Sequence, residues 1–254
     1  MNTTQQGTVT TTLKDHVAYI QFAHPAHNAM PGAQLARLAQ AIKDAGQNPD
    51  AKVIVLSSGG DRTFCAGASF DELVAIQDIE TGKAFFMGFA NVINAMRTCP
   101  KFIIGRVQGK AVGGGVGLAS ATDFCVSTQY ASVKLSELAI GIGPFVVGPA
   151  VEHKIGHSAF TAMSIDAADW RSAQWAKEKG LFAEVFDNAA DMDEYIDTLA
   201  QKLVKYSPEA MAALKKVFWA GTENWNTLLP ERAAISGRLV LSDFTKDFIK
   251  RFKS

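Results

Sequence analysis

The sequence predicts an α/β fold with a helical C-terminal region, and three observations carry that prediction. Over about the first 145 residues, short runs of β-branched and aliphatic residues alternate with segments whose apolar residues recur at helical spacing. The central apolar runs are continuous, which is typical of parallel strands buried on both faces. After about residue 145 the strand signal nearly vanishes while helical periodicity continues. We therefore expect an α/β core over residues 1–195 and a helical region over 196–254, with no linker.

The chain opens on a predicted β-hairpin. Residues 8–13 and 17–22 are rich in β-branched and aromatic side chains and are separated by three polar residues. A helix follows, because one apolar face recurs at near-helical spacing through Leu35, Leu38, Ile42 and Ala45. Residues 52–56 then form an apolar run that ends at Ser-Ser-Gly-Gly, which predicts a strand buried on both faces.

The same alternation continues along the chain. Strands are predicted at 102–107 and 123–127, with a helix at 114–121 between them. Further helices are predicted at 146–155, 158–165, 172–179 and 191–205. Ser207 before Pro208 is typical of an N-cap followed by proline at the first helical position, so another helix begins there.

Composition excludes several classes of function. The chain has 254 residues, with 25 basic and 25 acidic side chains and zero net charge, so no basic field exists for nucleic acid or an anionic membrane. Cys65, Cys99 and Cys125 are odd in number and widely spaced, which indicates reduced packing cysteines. The N-terminus is polar, and no apolar run approaches the about 18–20 residues that span a bilayer. We expect a cytoplasmic protein with no nucleic-acid or membrane partner.

No metal site is expected. His153 and His157 have HxxxH spacing, but Lys154 stands where a metallopeptidase carries glutamate. Gly156 is predicted to end the helix between the two histidines, so they are not expected to share a metal ion.

A glycine-rich turn at 113–117 is the first candidate for chemistry. A dinucleotide fingerprint fails because Leu118 or Ser120 occupies its last glycine position, and Ile104 occupies the first glycine position of a phosphate-binding loop. What remains is a row of backbone amides at a predicted helix N-terminus, which can donate to a developing oxyanion. The glycines fit equally well with close packing of the helix on the sheet.

A second segment of small residues strengthens the oxyanion interpretation. Ala66, Gly67 and Ala68 precede a predicted helix that begins near Asp71, and they would let a ligand approach the backbone closely. Two such approaches, each offering an N–H, make a two-donor oxyanion hole. Taken alone, this segment also fits an ordinary strand-to-helix turn.

Five segments, in this order, resemble the crotonase superfamily, the enoyl-CoA hydratase/isomerase family. They are HPAHNAM, FCAGASFDEL, VQGKAVGGGVGLASATDF, VKLSELAIGIGP and SPEAMAALKK. The resemblance implies a crotonase-like spiral of β-β-α turns with a helical C-terminal trimerisation region, and a homotrimer or a homohexamer of two trimers. It also implies a coenzyme A thioester as substrate, with no separate cofactor.

The resemblance assigns roles by motif position. The backbone amides of Ala68 and Gly114 correspond to the oxyanion hole, and Glu137 corresponds to a catalytic carboxylate. Phe89 lies in an aromatic run that is more often core, but whose helix borders the acyl tail in this family. The remaining positions expected to contact substrate, partly as loops that cradle coenzyme A, are Ala26, His27, Asn28, Cys65, Ala66, Gly67, Gly113 and Gly117.

Glu137 stands alone in this pattern. Hydratases with two acid/base glutamates carry the first where this chain has Gly117, and Ser69 replaces the usual aspartate. Apolar neighbours around Glu137 would raise its pKa and suit it to proton transfer, although most glutamates are surface groups. One glutamate can add water stepwise or move a proton from C2 to C4 of the substrate.

Both reactions occur among the families that this segment resembles. It is similar to single-glutamate Δ3,Δ2-enoyl-CoA isomerases and to methylglutaconyl-CoA hydratases, which share the Gly-Leu after the glycine turn. We expect an enoyl-CoA hydratase, of which the 3-methylglutaconyl type is one candidate, with isomerase as the alternative and a non-catalytic acyl-CoA binder as the competing class. A substrate carboxylate would need a cation, for which Arg97, Lys101 and Lys134 are candidates.

Overall fold

The computed structural model describes residues 7–253, with side chains described as far as Arg251. Two sheets form its frame. The strands are β1 Thr8–Lys14, β2 Val17–Ala23, β3 Val53–Ser58, β4 Thr63–Cys65, β5 Ile103–Val107, β6 Lys110–Val112, β7 Phe124–Thr128, β8 Ser132–Lys134, β9 Arg171–Ser172 and β10 Glu184–Phe186. The helices are α1 Gly32–Gln47, α2 Phe70–Val74, α3 Ile79–Thr98, α4 Gly114–Ser120, α5 Gly148–Ile155, α6 His157–Ile165, α7 Ala173–Glu178, α8 Ala189–Val204, α9 Pro208–Phe218, α10 Trp225–Leu239 and α11 Asp243–Lys253.

From β3 to β8, successive strands alternate between the two sheets. The six-stranded sheet has the order β1-β2-β3-β5-β7-β10 and the four-stranded sheet the order β4-β6-β8-β9. Pairing is parallel except between β1 and β2 and between β8 and β9. The strand pairs β3-β4, β5-β6 and β7-β8 each place one strand in either sheet, and a helix follows the first two of these pairs. This is the spiral of β-β-α turns that the sequence led us to expect.

The six-stranded sheet is covered on both faces, which explains its continuous apolar strands. Along β3, Ile54 and Leu56 pack into the large core, whereas Val53 and Val55 pack into a second cluster with α8. Since neighbouring side chains of a strand point to opposite faces, burial on both faces requires an apolar residue at every position. The predicted strand at 52–56 is therefore confirmed.

The C-terminal helical region is fixed to the core by a buried ion pair. Lys215 Nζ of α9 lies 2.8 Å from Asp123 Oδ2, and their side chains are only 2% and 4% exposed. Asp123 also accepts hydrogen bonds from the Trp219 indole N–H at 2.9 Å and from the Ile103 backbone N–H at 2.7 Å. Hydrogen bonds to both carboxylate oxygens are what make a buried charge tolerable.

Helices α3 and α10 cross at two glycines. A Cβ on Gly82 would lie 2.8 Å from the Gly237 Cα, so neither position accepts a side chain. The close crossing fixes α3, whose aromatic residues line the cavity described below.

The predicted loss of strands after residue 145 is wrong in two places. β9 pairs with β8, and β10 extends the six-stranded sheet beside β7. Both strands are short, with two and three residues, and so small a run leaves no readable alternation in the sequence. The predicted division after residue 195 falls inside α8 and stays a prediction.

Within residues 7–253, no helix combines the length and the apolar character needed to cross a bilayer.

Candidate active site

The site lies where three parallel strands end together. β4, β6 and β8 are neighbours in the four-stranded sheet. Ala66–Ala68 follow β4, Gly113–Gly114 follow β6, and Ser136–Glu137 come shortly after β8. Because the carboxyl ends of parallel strands meet at one edge of a sheet, segments far apart in sequence become neighbours there. They line one cavity of about 540 Å³.

The two small-residue segments contact each other through Gly67. Its φ of 94° lies in the region that favours glycine, and a Cβ there would lie 3.2 Å from the Val112 carbonyl oxygen and 3.9 Å from the Gly114 nitrogen. In the part of the chain that the structure describes, the backbone N–H groups of Ala68 and Gly114 have no protein acceptor. Both residues line the cavity, so two free donors lie in adjacent turns at its wall.

The loop at 24–30 supports the first of these segments. The Met30 N–H donates to the Gly67 carbonyl at 2.8 Å, and the Ala66 N–H donates to the His27 carbonyl at 3.2 Å. The Asn28 side chain is 5% exposed and donates to the carbonyls of Gly59 and Thr63 at 2.7 and 2.8 Å. Asn28 therefore holds loops together instead of facing the cavity.

Glu137 is placed by the turn that follows β8. The Gly113 N–H donates to the Lys134 carbonyl at 2.8 Å, which fixes the glycine turn beside the end of β8. The Glu137 carbonyl accepts from the N–H groups of Ile140 and Ile142, closing a short 3-10 turn, Leu138–Ile140. A Cβ on Gly113 would lie 2.8 Å from Glu137 Oε1, so the carboxyl group rests against the glycine turn.

The carboxyl group of Glu137 has the properties of a proton carrier. Its Oε2 atom is buried and has no hydrogen-bond partner among the described residues. Burial raises the pKa of Glu137 to about 7, with a smaller opposing effect from a hydrogen bond to its own backbone. A carboxyl group with this pKa can both accept and return a proton near neutral pH.

Position 117 does not hold a second polar group. Gly117 lies inside α4, and a Cβ there would lie 2.6 Å from Val147 Cγ1. Val147 itself lines the cavity, whereas Gly117 does not. The space where a side chain at 117 would begin is therefore filled by a valine.

Most of the cavity wall is apolar. The Phe89 ring packs over Gly114 and occupies the space of its missing side chain. Besides the residues that follow the three strands, the apolar wall includes Phe70, Leu73, Phe85, Phe86, Phe89, Val112, Ala139, Ile140, Ile142, Pro144, Phe145, Val146, Val147, Ala167, Ala168 and Phe248. Phe89 thus belongs to both the core and the cavity wall.

Of the three candidate cations, only Lys134 reaches the cavity. Its Nζ lies 4.7 Å from the centre of the Trp170 ring and donates to the Ala168 carbonyl at 3.5 Å. Arg97 instead donates to Asn226 in the C-terminal region, and Lys101 donates to the carbonyl groups that end α1.

A second cavity, of about 320 Å³, adjoins the first through Ala66 and Val112, which line both. Its cations are Arg62 and Lys110, and the Lys110 Nζ lies 5.2 Å from the centre of the Trp170 ring. Sequence reasoning missed this group, because its members are distant in the chain and no local spacing links them.

The structure brings together part of the predicted set. The main cavity is lined by Ala66, Gly67, Ala68, Phe89, Gly113, Gly114 and Glu137. His27 lines the second cavity. The remaining predicted residues line neither cavity, and their contact with substrate stays a prediction: Ala26, Asn28, Cys65 and Gly117.

Other reactive groups do not form a competing site. Burial raises the pKa of the Cys65 thiol to about 12, so its thiolate is disfavoured at neutral pH. His153 stacks on Trp219, and His157 binds Glu152 at 2.6 Å, so the two histidines do not converge. No cluster of three or more metal-ligating side chains occurs between residues 7 and 251.

Comparison with known proteins places this site in context. The family profile described as enoyl-CoA hydratase/isomerase matches residues 12–250. A peroxisomal Delta(3,5)-Delta(2,4)-dienoyl-CoA isomerase of Arabidopsis thaliana is 26% identical over 223 residues, covering 82% of this chain and 78% of the relative. A carnitinyl-CoA dehydratase of Salmonella paratyphi A is 30% identical over 208 residues, covering 80% and 77%. The crystal structure of an enoyl-CoA hydratase from Bacillus halodurans superposes with a TM-score of 0.88 at 19% identity, covering 96% of this chain and 99% of that one.

Proposed function

The chain belongs to the enoyl-CoA hydratase/isomerase family of enzymes, and on that premise we propose that it stabilises the enolate of an acyl-CoA thioester. The N–H groups of Ala68 and Gly114 donate to the thioester oxygen, and Glu137 carries the proton. The observation that carries this proposal is the buried Glu137 Oε2, which has no hydrogen-bond partner in the described part of the chain and belongs to a residue of the cavity that both donors line.

The two backbone donors supply the electrostatic part of catalysis. As charge moves onto the thioester oxygen, fixed N–H groups stabilise it without reorganising. Loss of one comparable donor costs about 2.7–4 kcal/mol of transition-state stabilisation. Since α4 has only seven residues, the proposal rests on the two N–H groups and not on a long helix dipole.

The second cavity supports coenzyme A as the carrier of the acyl group. Arg62, Lys110 and the nearby Lys134 offer positive charge to phosphate groups, and Trp170 offers an aromatic face. This cavity meets the main one at Ala66 and Val112, so one ligand can place its phosphates in the second cavity and its thioester in the first. We propose no cofactor beyond the coenzyme A of the substrate.

Hydration of a conjugated enoyl-CoA is the first candidate reaction. Glu137 takes a proton from water as the water oxygen bonds to C3, and the electron pair of the C2–C3 double bond moves into the enolate. Protonated Glu137 then returns the proton to C2 as the thioester carbonyl re-forms. The Ser136 hydroxyl lines the cavity next to Glu137 and can hold the water, and one relative is named a dehydratase, which supports this choice.

Double-bond isomerisation is the second candidate, and the Val147–Gly117 contact favours it. With a valine where a second carboxylate would begin, Glu137 can act alone by removing the C2 proton and returning it to C4. This reaction uses no water, and another relative is named an isomerase.

Incubation in heavy water separates the two reactions. Crotonyl-CoA and a hexenoyl-CoA with an unconjugated double bond serve as substrates, and products are read by mass spectrometry. A product that gains the mass of heavy water identifies a hydratase, and a shifted double bond without added water identifies an isomerase. Absence of turnover on every enoyl-CoA, with acyl-CoA still bound, would favour the non-catalytic binder.

We also propose that the chain assembles into a homotrimer or a homohexamer. Helix α9 exposes Leu214, Val217 and Phe218 at a spacing that places them on one face. An apolar helix face of this kind is suited to contact with another subunit. Light scattering coupled to gel filtration measures the mass, and a monomer would contradict the proposal.

A further inference from the structure

We infer that the main cavity selects an uncharged, apolar acyl chain and that Phe248 of the C-terminal helix limits the length of that chain. The inference rests on the proposed function, since it takes the thioester to lie at Ala68 and Gly114. It goes beyond that function by assigning the acyl class and a residue that determines it.

The first argument is the charge of the wall. Among the side chains that the structure describes, the ionisable groups of the wall are those of Glu137 and Lys134. The Lys134 ammonium group lies over the ring of Trp170, which lines the second cavity, and the proposed function uses its charge for the phosphate groups. An acyl chain that ends in a carboxylate would lose its hydration in the cavity without gaining a cation of its own. A cationic end would be desolvated beside Glu137, the proton carrier. Both changes are unfavourable.

The second argument is the composition of the wall beyond the catalytic group. Phe70, Phe85 and Phe86 from α2 and α3 line the cavity and pack with Ile140 and Ile142 in a small hydrophobic cluster, which Phe86 links to the main core. Aromatic and aliphatic groups gain free energy by contact with methylene groups, roughly in proportion to the area removed from water. This part of the wall therefore favours a hydrocarbon tail.

The third argument is how the C-terminal helix is held. Phe248 lines the cavity from α11. Three and four residues earlier, Thr245 and Phe244 pack against Gly141, whose missing side chain would lie 2.6 Å from Thr245 Oγ1 and 2.5 Å from a Phe244 ring carbon. Thr245 is fully buried and its hydroxyl donates to the Leu239 carbonyl at 3.2 Å. These contacts fix the position of Phe248, so its ring is a defined boundary.

Charge selection is tested by calorimetric titration with unreactive saturated thioesters. Hexanoyl-CoA and glutaryl-CoA have similar length, but glutaryl-CoA ends in a carboxylate. We expect glutaryl-CoA to bind at least about tenfold more weakly than hexanoyl-CoA, and octanoyl-CoA to bind at least about tenfold more tightly than butyryl-CoA. Equal or tighter binding of glutaryl-CoA would overturn the inference.

Length selection is tested with Phe248→Ala. We expect the affinity for dodecanoyl-CoA relative to octanoyl-CoA to rise by about tenfold, because the ring no longer blocks the longer chain. Phe248→Leu should give a smaller rise, and it serves as the deciding variant if circular dichroism shows that Phe248→Ala does not fold. Ile249→Ala removes a neighbouring apolar side chain of α11 that does not line the cavity, and it should leave the ratio unchanged. An unchanged ratio in a folded Phe248 variant would overturn the role of Phe248.

Free coenzyme A separates failure of the inference from failure of the proposed function. If neither coenzyme A nor any acyl-CoA binds, the proposed function falls, and the inference falls with it. If coenzyme A and acyl-CoA bind without selection by charge or length, only the inference falls.

Discussion

The carboxyl group of Glu137 lies against Gly113, so closely that a Cβ on Gly113 would be 2.8 Å from Oε1. Gly113 also donates its N–H to the carbonyl of Lys134, three residues before Glu137. The glycine turn thus holds the backbone that leads to the proton carrier and leaves room for its carboxyl group. The carboxyl group of Glu137 can lie here because residue 113 has no side chain.

Gly113→Ala should reduce activity through Glu137. The added methyl group displaces the carboxyl group, and a misplacement of about 1 Å lowers turnover by roughly 100-fold. Gly156→Ala is the matched control, since Gly156 also has a positive φ, of 79°, but nothing lies within 4 Å of its missing Cβ. Gly156, with φ 79° and ψ 160°, lies in a region that is nearly exclusive to glycine, so the control should lose about 1–3 kcal/mol of stability and keep its kcat. Equal loss of kcat in both variants would show that backbone strain alone is responsible.

Glu137→Gln should remove the proton transfer. We expect kcat to fall by about 10²–10⁴-fold with an unchanged far-ultraviolet spectrum. In the wild type, kcat/KM should rise with pH through about 7, because the carboxylate is the base and burial raises its pKa to that value. The rise of kcat/KM around pH 7 should be absent from the residual activity of Glu137→Gln. Glu80→Gln on the exposed side of α3 is the control, and a wild-type profile that stays flat around pH 7 would contradict the assignment.

The same variant should change stability in a pH-dependent way. The folded-state pKa of Glu137, about 7, lies above its ordinary value of 4.5, so the folded protein holds a proton that the unfolded chain releases between these two values. Stability is therefore lost as pH rises through this window, and the loss is complete above the folded-state pKa. Glu137→Gln should stabilise the protein by on the order of 3 kcal/mol above about pH 8 and by almost nothing below about pH 4. Urea unfolding at both pH values measures it, and a gain confined to low pH would contradict the burial of the carboxyl group.

Gly117→Ala should destabilise the protein through Val147. The added methyl group would lie 2.6 Å from Val147 Cγ1, and overpacking of this kind costs about 1–3 kcal/mol. The Val147 Cβ would also lie 2.7 Å from the added group, so Val147→Gly, which removes both atoms, is the partner variant, and in that background Gly117→Ala should cost much less in a double-mutant cycle of urea unfolding. Gly117→Glu should abolish activity alone and regain it only with Val147→Gly; full activity of the single variant would mean that Val147 moves freely.

Lys215→Met tests the buried ion pair that fixes α9. Removal of the ammonium group leaves Asp123 buried without its counter-charge, which costs about 3–5 kcal/mol. Lys216→Met is the control, because the neighbouring Lys216 is exposed. If both variants unfold at the same urea concentration, the pair does not fix the C-terminal region.

Local patterns predicted part of the regular elements, and the long helices α3 and α10 were not among them. The helix through Leu35, Leu38 and Ile42 and the strand at 52–56 follow from periodicity, since each pattern matches the number of faces that the element buries. The strands β4, β6, β8, β9 and β10 were not predicted, because a run of two or three residues shows no period and its pairing is decided by the neighbouring strands. The predicted pKa rise of Glu137 followed from its apolar neighbours in sequence, and the structure agrees in direction.

The sequence by itself determined the fold class, the small-residue turns with their backbone donors, and the single carboxylate, because each of these is written in consecutive residues. Only the tertiary structure decided what surrounds them. Because β4, β6 and β8 end side by side, Glu137 lies against Gly113. Val147, which directly precedes α5, fills the space beside Gly117. Arg62, Lys110 and Trp170 likewise meet at one cavity, and Phe248 reaches the other, although no local spacing relates them. Such contacts depend on where the chain returns in space, which periodicity and motif spacing do not encode.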